Sequence, residues 1–138
     1  MLSQTAEYAL RAVLTIAAAP DGEPLGAARL AAALDIPQNY LAKTLHQLAR
    51  AGVLESTRGK LGGFRLARAP DRIPLVDIVG LFDDITGRRT CLMGRPVCSD
   101  QNGCAVHERW KAVSDSTADF FRSTTVASLV GSSRKGRG

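Results

Sequence analysis

The sequence predicts a mainly α-helical fold with one small β-hairpin and a long C-terminal helix. Three features predict it: apolar residues at helical spacing in five segments, a proline and a glycine bracketing the third of them, and a glycine-rich turn between two short strand-like runs. Over residues 4–18, Ala6, Leu10, Val13, Leu14 and Ala17 stand at offsets of 4, 7, 8 and 11, one face of a helix. Ser3 or Thr5 can cap its start, and Pro20-Asp21-Gly22 ends it. A short helix follows over about 26–34, with Leu30, Ala31 and Leu34 inward. Asp35-Ile36-Pro37 breaks the chain. Pro37 suits the first position of a third helix, where its missing N–H costs nothing. That helix runs to Ala51 with Leu41, Leu45 and Leu48 on one face, and Gly52 is its stop.

Two helices joined by a three-residue turn form a helix-turn-helix. The second of them leaves Gln38, Asn39, Tyr40, Lys43, Thr44, His46, Gln47 and Arg50 off its apolar face, with no acid among them. Val53-Leu54-Glu55-Ser56-Thr57 reads as a short strand. Arg58-Gly59-Lys60-Leu61-Gly62-Gly63 then turns the chain into Phe64-Arg65-Leu66, because glycine tolerates positive φ. A helix-turn-helix followed by a basic hairpin is a winged helix. A glycine-rich run can also cradle a nucleotide phosphate, but neither G-x-x-x-x-G-K-[ST] nor G-x-G-x-x-G is present.

Charge supports a polyanionic partner. The 138-residue chain carries a net +5. Residues 36–68 hold Lys43, Arg50, Arg58, Lys60, Arg65 and Arg68 against one acid, Glu55. Such a basic segment in a folded region fits nucleic acid, and the plain alternative is a solvated basic face. The 45% apolar content suffices for a core. No apolar run approaches the roughly 18 residues of a membrane helix, and Met1-Leu2-Ser3-Gln4 lacks the features of a signal peptide. A cytoplasmic protein with no membrane partner is expected.

Pro74 opens a further helix with Leu75, Ile78, Val79 and Phe82 on one side. Residues 88–104 have neither period and are rich in Gly, Pro, Arg and Cys. From about 105 to 129, Val106, Trp110, Val113, Thr117, Phe120, Thr124 and Ala127 alternate spacings of four and three, a heptad seam. That seam predicts a homodimer, with packing on the chain's own core as the alternative. The expected organisation is a winged helix-turn-helix over 1–87, a cysteine loop over 88–104, a dimerisation helix over 105–130 and a disordered basic tail over 131–138.

The chain's three cysteines, Cys91, Cys98 and Cys104, all lie in the loop, and His107 follows three residues after the last. A cytosolic chain seldom holds a structural disulfide, so a local cluster of thiols favours metal. Soft thiolates suit iron–sulfur, copper(I) or zinc. A cluster usually takes four protein ligands, so one must be another group, and His107 is the nearest. The alternatives are buried apolar cysteines or a Cys–His nucleophile, the latter without a visible third orienting group.

Taken together, four segments resemble the Rrf family of bacterial winged-helix regulators of the IscR and NsrR type, over about residues 1–130. Glu7-Tyr8-Ala9-Leu10-Arg11 resembles the family's first helix and Ile36-Pro37-Gln38-Asn39-Tyr40-Leu41 the start of its recognition helix. Arg58-Gly59-Lys60-Leu61-Gly62-Gly63-Phe64-Arg65-Leu66 is similar to the wing, and the cysteines ahead of His107 and Trp110 are similar to its cluster-binding members. The resemblance implies a homodimeric transcription factor, not an enzyme, whose DNA binding changes with an iron–sulfur cluster on Cys91, Cys98 and Cys104. In one branch of the family the fourth ligand stands where His107 does, on a 2Fe–2S cluster. In the other it is a carboxylate from the partner subunit's first helix, at the position of Glu7. This sequence keeps both candidates, so the resemblance leaves the cluster type open, with 2Fe–2S expected ahead of 4Fe–4S. Glu7 has a plainer reading too, an i,i+4 ion pair with Arg11.

These readings combine into one expectation. The helix over 37–51 enters the major groove of double-stranded DNA, with Gln38, Asn39, Tyr40 and Lys43 as contacts. Arg58 and Lys60 anchor the adjacent minor groove. Two-fold symmetry predicts a near-palindromic operator, and the signal is redox, nitric oxide or iron supply. The competing readings are a winged-helix regulator with structural zinc or no metal, and a small thiol or metal-handling protein.

Overall fold

The computed structural model describes residues 2–19, 22–85 and 107–130. The cysteine loop and the basic tail lie outside them. The elements run α1 (Gln4–Ala17), α2 (Ala27–Leu34), α3 (Gln38–Arg50), β1 (Leu54–Thr57), β2 (Gly63–Leu66), a 3₁₀ turn (Pro70–Arg72), α4 (Val76–Val79) and α5 (His107–Ser123).

Ser3 caps α1: its Oγ accepts from the Ala6 N–H at 3.2 Å. Ser3→Ala should cost about 1 kcal/mol, a drop of a few degrees in melting temperature by calorimetry. The buried stripe of α1 is Ala6, Ala9, Ala12, Val13 and Ile16, while Leu10, Leu14 and Ala17 flank it half-buried. The stripe is thus rotated from the predicted face. Alanines at its centre let α3 approach closely, and the larger leucines fill the edges.

The turn between α2 and α3 is built on Asp35, held at φ 55° with its N–H donating to the Ala31 carbonyl. Pro37 stands just before α3 rather than within it. Leu41, Leu45 and Leu48 of α3 are fully buried, as their spacing predicts. Thr44 is buried too, contrary to its expected place off the apolar face. Its hydroxyl donates back to the Tyr40 carbonyl at 3.2 Å, which satisfies it inside the core. At the far end, Gly52 has φ 82°, the Gly52 N–H donates to Ala49, and the Val53 N–H donates to Leu48. That double bond is the glycine-ended helix stop read from the sequence.

The strands β1 and β2 pair antiparallel, Leu54 with Leu66, Glu55 with Arg65, Ser56 with Phe64 and Thr57 with Gly63. Leu25 adds an isolated antiparallel bridge to β2, exchanging bonds of 2.9 and 2.8 Å with Phe64. Phe64, Val53, Leu54, Leu30 and Ile36 close the core with the three helices.

Two helices are shorter than their periodicity predicts. The Leu75 N–H donates to the Thr124 carbonyl at 2.8 Å, and the Val126 N–H donates to the Ile73 carbonyl at 3.0 Å. This bridge keeps Ile73 and Pro74 out of the helix, so α4 runs only from Val76 to Val79 with Gly80 as its cap, though Leu75, Ile78 and Val79 are buried as expected. The same bridge ends α5 at Ser123, and residues 126–130 are helical again. Ala118 and Phe121 face the core, while Val113 and Phe120 of the seam stay about half exposed.

Candidate nucleic-acid interface

The exposed side of α3 presents Gln38, Asn39, Tyr40 and Lys43 near its start, then His46, Gln47 and Arg50. Lys43, His46, Gln47 and Arg50 line an open groove of about 360 Å³. The His46 ring meets the Phe64 ring edge-on at 5.4 Å, which ties this helix to the base of the hairpin. At the hairpin's tip Arg58 and Lys60 are exposed.

Pairing decides which cations can serve an anion. Arg65 is bonded to Glu55, its cross-strand partner in the register. Arg68 bonds Asp77 at 2.9 Å and also donates to the Gly52 and Arg72 carbonyls. Lys43, Arg50, Arg58 and Lys60 have no ion pair among the described residues. The basic segment thus divides. Arg65 and Arg68 serve the fold, and the cations of α3 and the hairpin tip are left for a partner.

Tyr40 is more than a surface group. Its hydroxyl bonds the Thr5 hydroxyl, and its ring meets Tyr8 edge-on at 5.7 Å. Gln4 Nε2 donates to the Tyr8 hydroxyl at 2.7 Å. The first turns of α1 and α3 are thereby braced together, with one side of Tyr40 still exposed. Thr5 and Tyr8 carry no sequence pattern that announces this role, because the contact spans 35 residues.

Glu7 is exposed in the first turn of α1. The expected ion pair with Arg11 does not form. Arg11 donates instead to the Leu34 carbonyl at 3.2 Å, capping the end of α2. The Ser3 N–H donates to Asp83 Oδ2 at 2.8 Å, so the segment leading into the cysteine loop is fastened beside Glu7. His107 is the first residue of α5. Cys91, Cys98 and Cys104 lie outside the described residues, among which no cluster of His, Cys, Asp or Glu could hold a metal.

Residues 2–132 match the family described as Rrf2, iron-dependent transcriptional regulator. The chain belongs to the Rrf2 family. A protein of Aquifex aeolicus (strain VF5) named for an HTH-type transcriptional regulator is 36% identical over 132 residues, 94% of this chain and 91% of that protein. The HTH-type transcriptional regulator IscR of Erwinia tasmaniensis is 28% identical over 129 residues, 94% of this chain and 78% of that protein. The structure of CymR, the global cysteine regulator of B. subtilis, shares the fold, with TM-score 0.79 and 24% identity over 95% of this chain and 96% of that one. Like its Rrf2 relatives, this chain is a DNA-binding transcriptional regulator with a winged helix and not an enzyme. Among the described residues no helix is long and apolar enough to cross a membrane.

Proposed function

We propose that this Rrf2 protein is a cytoplasmic homodimer that binds a near-palindromic operator and whose binding is governed by an iron–sulfur cluster. The observation that carries the DNA half is the set of cations without ion pairs on α3 and the hairpin tip, Lys43, Arg50, Arg58 and Lys60. Helix α3 reads the major groove with Gln38, Asn39, Tyr40 and Lys43, while Arg58 and Lys60 hold the minor groove beside it. The exposed seam residues Val113 and Phe120 on α5 support the dimer. The proposed organisation remains a winged helix-turn-helix over 1–87, a cluster loop over 88–104, a dimerisation helix over 105–130 and a basic tail.

The donor set fits the cluster: soft thiolates at Cys91, Cys98 and Cys104, with an imidazole at His107 or a carboxylate at Glu7 as the fourth. When bound, such a cluster supplies redox chemistry and reactivity toward nitric oxide and oxygen. Support comes from the family's iron-dependent description and from the IscR relative. Asp83, five residues ahead of the loop, is bonded to the Ser3 N–H at the start of α1, and the Thr5–Tyr40 brace joins α1 to α3. A change at the loop thus has a short covalent and hydrogen-bonded route to the reading helix. The likeness to CymR favours a second reading, a cluster-free regulator of thiol supply.

Duplexes enriched from a random pool by the purified chain test the DNA half. They should share a two-fold symmetric element. Lys43→Ala and Arg58→Ala should each weaken binding and lower the slope of log K against log salt by about one per subunit. Unchanged slopes in both would contradict the interface.

A further inference from the structure

The hairpin tip carries an apolar side chain that the fold does not use. Leu61 is 91% exposed, whereas the other exposed large apolar residues, Tyr40, Leu81, Val113 and Phe120, range from 40% to 52%. A lone exposed leucine means little by itself. Its setting is what gives this one meaning. The Gly62 N–H donates to the Gly59 carbonyl at 3.0 Å, closing a four-residue turn with Lys60 and Leu61 at its centre. Gly59 takes φ 109°, and neither Lys60 nor Leu61 has positive φ. A Cβ on Gly62 would lie 2.1 Å from the Thr57 carbonyl oxygen, so the tip is drawn tight against the end of β1. The two central side chains are left pointing away from the body of the protein. Arg58 and Lys60, both exposed and without ion pairs among the described residues, stand on the same tip.

We propose that Leu61 is an apolar wedge that enters the minor groove beside Arg58 and Lys60 and selects operators with an easily unstacked base step beneath the wing. The inference rests on the DNA-binding reading above and adds a sequence preference to it. The physical logic has two parts. Cations beside the leucine draw the tip to the phosphate walls, where a narrow groove concentrates negative potential. Inside, sugar faces and base edges offer the apolar surface that Leu61 lacks in the free protein. Leucine is among the side chains that pry apart base steps from the minor groove, and pyrimidine–purine steps yield most easily. A wedge there reads deformability, adding specificity that Gln38 and Asn39 in the major groove cannot supply. A protein partner for Leu61 is the competing occupant, and the adjoining cations argue for DNA.

The test uses the duplex selected by the wild-type chain, labelled at both ends for energy transfer and carrying 2-aminopurine at the step under the wing. Wild-type protein should bend it and raise the 2-aminopurine emission. Leu61→Ser should bind about tenfold more weakly, lose both signals and keep the salt slope, since no phosphate contact is removed. Leu61→Phe should retain all three. Equal melting temperatures confirm that the exposed substitutions leave the fold intact. A straight wild-type complex overturns the wedge. So does Leu61→Ser within about twofold of wild type with its bend intact, while Arg58→Ala weakens binding. That second result leaves the DNA interface standing and points Leu61 to a protein partner. If Arg58→Ala is also silent, the wing does not meet DNA, and the wedge falls together with the minor-groove contacts of Arg58 and Lys60.

Discussion

Gly63→Ala should destabilise the folded chain by about 3 kcal/mol or more, a fall on the order of 10 °C in melting temperature. Gly63 has φ 150°, a conformation that side chains other than glycine rarely adopt. A Cβ there would lie 2.4 Å from the Leu25 carbonyl carbon, 2.5 Å from its oxygen and 2.7 Å from the Gly26 nitrogen. Every one of those atoms is backbone, so no rotamer change relieves the clash. Relief requires parting Leu25 from Phe64 and losing their two hydrogen bonds, which anchor the hairpin to the start of α2. Phe64 is a buried core residue, so the damage reaches the core. Gly59→Ala is the control, since Gly59 has φ 109° but nothing within 4 Å of its added Cβ. It should cost about 1 kcal/mol, from backbone strain alone. Chemical denaturation of the two variants checks the difference, and equal losses would contradict this account of the hairpin.

Cys98→Ala should abolish the cofactor outright. Protein purified without air should be brown and contain iron and acid-labile sulfide, and the variant should have neither. Three thiolates are already one short of the usual four ligands, so losing another leaves too few to retain a cluster. His107→Ala and Glu7→Ala should separate the candidates for the remaining position. The one that loses colour names the fourth ligand. Full iron in both variants would exclude both. Zinc in place of iron, or a colourless chain with intact cysteines, would favour the cluster-free reading. Glu7 is exposed and has no ion pair among the described residues, its neighbour Arg11 being bonded to the Leu34 carbonyl.

Much of the fold is legible in the sequence because its determinants are local. Leucines at 41, 45 and 48, the stop at Gly52 and the Gly59–Gly62 turn act through neighbours along the chain. What the sequence hides is set by contacts between distant residues. The ends of α4 and α5 depend on the bridge between 73–75 and 124–126, which no periodicity encodes. A heptad seam read through Thr124 and Ala127 therefore overruns the helix end at Ser123. The division of the cations follows the same rule. Glu55 neutralises Arg65 only because the hairpin register places them opposite each other, and Arg68 meets Asp77 only because the chain folds back past the 3₁₀ turn. Tyr40 reads as a DNA contact from its position on α3, yet Thr5 and Tyr8 recruit it into a brace with α1.

The most direct measurement of cluster-governed DNA binding is the affinity of one selected duplex for anaerobic, iron-loaded protein and for the same protein stripped of iron, at matched salt. A change of about tenfold or more, or a switch in the preferred duplex, is the predicted result, because only a cofactor with different compatibility toward two states can shift an equilibrium. Equal affinities of the iron-loaded and the iron-stripped protein, with no change in the preferred duplex, would contradict it.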